Sequence, residues 1–85
     1  MQFDGIQIGV HARGRLELRN LSVQDIEVVL ANPERVYPGS TPGTTVVEGA
    51  TEAGRRIAVV YSDVVDSRRR IAYIVTVYPV RRRLQ

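Results

Sequence analysis

Cysteine, lysine and tryptophan are absent from this 85-residue chain, and histidine and methionine occur once each. Without cysteine there is no disulfide framework, no thiolate metal or iron–sulfur site and no thiol nucleophile; without lysine there is no amine nucleophile. A single imidazole, His11, argues against a histidine-rich metal centre, and no metal or other cofactor is expected. No apolar run approaches the roughly 18 residues that span a bilayer. The opening residues MQFDGIQIGV contain an acid, two glycines and no basic start. That predicts no secretory signal, cytoplasmic residence and no membrane partner.

What is present suits one small domain over residues 1–85, with 44% hydrophobic residues supplying a core. A chain of this length buries only about 60–65% of its unfolded surface, so a homodimer or a protein partner is expected to supply stability. All 12 basic residues are arginine. Residues 1–54 hold four of them against seven carboxylates, a net of −3, whereas residues 55–85 hold eight against two, a net of +6. This asymmetry points to an anionic ligand near the C-terminal half, nucleic acid among them, although a solvated basic surface has the same composition.

Residues 3–10 alternate apolar and polar and predict a first strand. A short helix over residues 11–19 contains Gly14, which costs about 1 kcal/mol in a helix interior, so it should form only where packing supports it. Ser22 and Asp25 hold the capping-box spacing for a second helix, with Val23, Ile26, Val29 and Leu30 on one face and Asn32-Pro33 as its stop. Residues 32–43 read as a loop, 44–48 as a strand, 49–54 as a hairpin loop and 55–61, extending to 65, as another strand. Asp66-Ser67 begins a turn. Residues 71–78 form the strongest strand and a central one, with Ile71, Tyr73, Val75 and Val77 facing one way and Ala72, Ile74, Thr76 and Tyr78 the other. The order β-α-α-β-β-β predicts an α+β fold, two helices on a three- to four-stranded, mostly antiparallel sheet.

His11, Arg15 and Arg19 recur every fourth residue, which on a helix drifts only about 40° per step and lines one stripe. Two guanidiniums beside an imidazole suit a phosphate, since the forks grip its oxygens and the imidazole moves a proton. The same spacing also describes a charged face turned to solvent. Thr76 and Tyr78 share a strand face and offer hydroxyl donors, or they are packing residues with satisfied hydroxyls. Arginine triplets flank that strand; alternation lets Arg68 and Arg70, and Arg81 and Arg83, address one surface as phosphate contacts, or they protect a hydrophobic sheet edge.

The pattern His11-Ala12-x-x-Arg15-x-x-x-Arg19-x-Leu21-Ser22, with Asp25-Ile26, Asn32-Pro33, Gly54-Arg55 and Val75-Thr76-Val77-Tyr78, resembles a family of short uncharacterised bacterial proteins. That family looks like a distant branch of the RelE/ParE toxin superfamily, near the BrnT-type ribonuclease toxins. The resemblance implies a compact toxin fold and a cognate antitoxin. It also implies metal-free endonucleolytic attack on mRNA, ribosome-bound mRNA included; ParE-like members act on DNA gyrase instead. His11, Arg15, Arg19 and Thr76 fall on its recurring positions. RelE-type catalysis draws partly on lysines, so in a lysine-free chain proton transfer falls to His11, because arginine stays charged. The expectation is a type II toxin and endoribonuclease with His11 moving the proton, Arg15 and Arg19 clamping phosphate, and Thr76 and Tyr78 donating hydrogen bonds. The alternative is a toxin-fold binding module without catalysis, a gyrase inhibitor or an inactive protein-interaction domain.

Overall fold

A computed structural model describes residues 3–80. Five strands and two helices follow in the order β1 (Gly5–Ile8), α1 (Val10–Leu18), α2 (Val23–Ala31), β2 (Arg35–Pro38), β3 (Thr44–Ala50), β4 (Arg56–Asp66) and β5 (Arg69–Pro79). The strands form one sheet, β1-β5-β4-β3-β2, in which only the β1–β5 pairing is parallel. The α+β class, the helix pair and the mostly antiparallel sheet therefore hold, and the strand count rises to five. The additional strand is β2, inside the stretch expected to be loop. Val36 and Tyr37 favour extended backbone, and Pro38 is tolerated because β2 lies at the sheet edge.

The helices form for different reasons. In α2 the Ser22 Oγ accepts from the Asp25 amide at 3.3 Å while the Ser22 amide donates to Asp25 Oδ2 at 2.9 Å, closing the expected capping box. Ile26, Val29 and Leu30 are buried, whereas Val23 in the first turn is exposed. The α1 helix has no side-chain cap and no acid in its first turn. It is held by burial of Ala12 and Leu16 against the sheet. Both helices cover the same sheet face. There Val47, Ile57, Val59, Tyr61, Ala72, Ile74 and Val77 complete the core. Strand β3 runs on through Gly49, where a Cβ would sit 3.2 Å from both the Asn32 carbonyl oxygen and Val29 Cγ1. A glycine there lets α2 lie close on the strand.

Strand β5 contains a β-bulge. Val60 pairs with Thr76 and Tyr61 with Ile74, leaving Val75 as the extra residue. Ala72 and Ile74 face the helices before it, and Val77 does so after it. The simple alternation expected for residues 71–78 therefore breaks at Val75. Thr76 and Tyr78 end up with Tyr73 on the face without helices.

The β4–β5 connection is a two-residue turn in which Ser67 and Arg68 both have positive φ, 50° and 69°. A non-glycine residue pays about 1–2 kcal/mol for that conformation, and glycine loses roughly 0.5–1 kcal/mol more chain entropy on folding. Arg68→Gly should therefore raise stability by about 0.5–1 kcal/mol in urea unfolding. An unchanged or lower midpoint would contradict the turn geometry.

Candidate functional site

The residues singled out from sequence fall on two separate surfaces. His11 is exposed on α1, and Arg15 Nε donates to His11 Nε2 at 3.4 Å. The pair lines a shallow open groove of about 340 Å³ with Val10, Gly14 and Leu18, all from α1. Arg19 does not continue this stripe. It is the C-cap of α1, with φ −101° and ψ 6°, and its buried Nε has no hydrogen-bond partner. Thr76 and Tyr78 lie on the other face of the sheet and line no part of the groove. The four-residue spacing thus brings together His11 and Arg15 but neither Arg19 nor the two strand hydroxyls.

The arginine triplets divide similarly. Arg68 is exposed at the tip of the β4–β5 hairpin. Arg70 is engaged internally: its amide donates to Asp4 Oδ2 at 2.6 Å, its Nη2 donates to Asp63 Oδ2 at 2.5 Å, and its guanidinium sits 5.0 Å from the Phe3 ring centroid. These contacts tie the start of β1 to the hairpin and occupy a cation expected to meet phosphate. Arg81 and Arg83 lie outside the described residues.

The uncovered sheet face holds a second polar cluster, and most of it was not legible as a site. Strand register builds two rows across four strands: Arg35–Glu48–Ala58–Tyr78 and, beside it, Tyr37–Val46–Val60–Thr76. Ala58 is fully buried and Glu48 only 8% exposed, although no helix covers this side. The Tyr37 hydroxyl donates to Glu48 Oε2. Arg35 Nη1 stands 3.6 Å from Glu48 Oε1, and the Arg35 guanidinium lies 5.1 Å from the Tyr37 ring centroid. The two carboxylate oxygens therefore have different partners: Oε2 accepts from a hydroxyl, and Oε1 faces a cation whose side chain is 69% exposed.

The bond to Glu48 pushes the Tyr37 hydroxyl far above the ordinary phenol pKa, with burial and a contact to Tyr78 adding to the rise. Burial raises Tyr61 as well. For both, the folded value exceeds the unfolded value of 10.0, so their stabilisation is complete below that pH and is lost as pH climbs toward the folded values. Urea midpoints should therefore decline above about pH 10, and Tyr37→Phe should flatten part of that decline. An identical alkaline slope in the variant would remove the Tyr37–Glu48 bond from the account.

Among the described residues, no group of three or more histidine, cysteine, aspartate or glutamate side chains could hold a metal ion, and no helix is long and apolar enough to cross a membrane. No curated protein and no solved structure matches the chain. A family model described as a domain of unknown function, DUF4258, matches residues 8–79, and the chain belongs to that family.

Proposed function

We propose that the protein is a toxin-like, metal-independent endoribonuclease that cleaves mRNA on the uncovered face of its sheet and is restrained by a cognate antitoxin. One observation carries the reading: a shielded carboxylate, Glu48, stands in one row with an exposed guanidinium, Arg35, and a tyrosine hydroxyl, Tyr78. RNA strand scission needs a base, an acid and a cation, and that row has one of each. Glu48 Oε1 would take the proton of a 2′-hydroxyl. The 2′-oxygen attacks the adjacent phosphorus, the bond to the 5′-oxygen breaks, and Tyr78 returns a proton to that leaving oxygen. The products are a 2′,3′-cyclic phosphate and a 5′-hydroxyl. Arg35 offsets the charge gathering on phosphorus, Tyr37 orients the carboxylate, and Thr76 offers a further donor beside them. No metal is required because side chains supply every role.

This assignment moves the proton transfer expected of His11 to Glu48, because α1 packs on the other side of the sheet from Thr76 and Tyr78. The test is incubation of purified protein with mRNA, free and ribosome-bound, in chelator, with end-group analysis. Cyclic phosphate ends that disappear in Glu48→Gln and persist in His11→Ala are expected. Loss in His11→Ala alone would return the chemistry to α1. A second reading, a binding module without catalysis, is favoured by the low exposure of Glu48. Intact mRNA in both forms, alongside growth arrest on expression that survives Glu48→Gln, would select it.

A further inference from the structure

The outer face of α1 bears a combination that the fold itself does not need. Ala12 and Leu16 point to the core, so at 100° per residue Gly14 falls on the opposite side of the helix, with Val10 and Leu18 one turn before and after it. Val10 is 91% exposed and Leu18 72%, two aliphatic side chains offered to solvent on one row. Between them Gly14 has helical backbone, and a Cβ added there would meet nothing within 4 Å. Neither backbone conformation nor internal packing asks for a glycine at this point. A close-approaching second backbone does. Rim charges complete the pattern: Arg13 and Arg15 flank the row against a single carboxylate on α1, Glu17.

We infer that this face docks an amphipathic helix of a partner protein, with small and aliphatic residues over Gly14 and carboxylates along its edges. A second copy of this chain fits less well, since it would bring Arg13 and Arg15 toward their own mates at the crossing point. The inference stands on α1 alone and does not rest on the ribonuclease reading; its readout is peptide binding, so the two fail separately.

The probes are two synthetic 18-residue helical peptides with the same alanine–leucine face, one rimmed with glutamate and one with lysine, titrated into the isotope-labelled full chain. The glutamate peptide should shift amide resonances of residues 10–18, and raised salt should weaken it. Gly14→Gln should reduce its affinity at least tenfold while raising the Tm by about 2–4 °C, since a helix-favouring residue replaces glycine at an exposed site. A substitution that stabilises the protein and abolishes docking is a signature no folding defect imitates. Any of four results would overturn the proposal: no binding of the glutamate peptide, equal binding of the lysine peptide, undiminished affinity in Gly14→Gln, or concentration-dependent self-association through α1.

Discussion

Glu48→Gln should slow RNA cleavage by about 10²–10⁴-fold and leave the protein folded. Glutamine has the same shape, and its carbonyl oxygen still accepts the Tyr37 hydroxyl that holds Glu48 Oε2. What disappears is the group that takes the 2′-hydroxyl proton. The lost attraction to Arg35 is small, because that side chain is 69% exposed and the separation is 3.6 Å. A single-turnover cleavage rate beside a thermal melt separates the two effects. Cleavage at the unsubstituted rate would remove the carboxylate from the reaction. Tyr37→Phe makes the complementary case: the carboxylate keeps its charge but loses its orienting bond, so the loss should be real and smaller than in Glu48→Gln.

Ile74→Ala should cost about 2–5 kcal/mol. Ile74 has no exposed surface, sits on β5 between β1 and β4, and belongs to the cluster that α1 and α2 cover. Truncation removes buried methyl groups and leaves a void that a close-packed interior fills only partly. A domain of this size is typically stable by about 4–13 kcal/mol, so one substitution takes a large share of the whole. Chemical unfolding with an unchanged m-value is the measurement. A cost below about 1 kcal/mol would mean that Ile74 is not at the centre of the core.

Where sequence reasoning succeeded, the signals were local. The Ser22–Asp25 box, the Asn32-Pro33 stop and the β-branched run of residues 71–78 each act within a few residues; the box, the stop and a strand over that run are all present in the structure. Where it failed, the deciding contact lay far along the chain. Strand β2 has only Val36 and Tyr37 between polar and proline neighbours, and it becomes a strand by pairing with β3. Arg35-Val-Tyr-Pro does precede a proline–glycine turn and a β-branched run, which is hairpin grammar. Arg70 looks like a free cation in sequence, yet Asp4, 66 residues away, binds its amide and Asp63 its guanidinium. Glu48 was visible only as the end of a strand. Its one signal was a carboxylate set inside a β-branched segment, where burial demands a partner.

The same limit governs His11 and Arg15. Spacing placed them correctly on one helix face, because helical geometry is local. It could not say which side of the sheet that helix would cover. Nor could it foresee that Thr76 and Tyr78 would part from Ile74, since the irregularity at Val75 arises in pairing with β4.

That irregularity makes the pairing of β5 a determinant of chemistry. Pleating has a period of two, so Thr76 and Tyr78 face outward because Val75 is left out of the alternation as the extra residue. Were Val75 paired in regular alternation, Thr76 and Tyr78 would turn inward and Val77 outward, erasing the surface while leaving each of its own residues intact. Loss of the Val75 codon keeps those faces, so homologues should vary freely in the 39–43 connection and, between Ile74 and Tyr78, hold the present count or be one residue shorter.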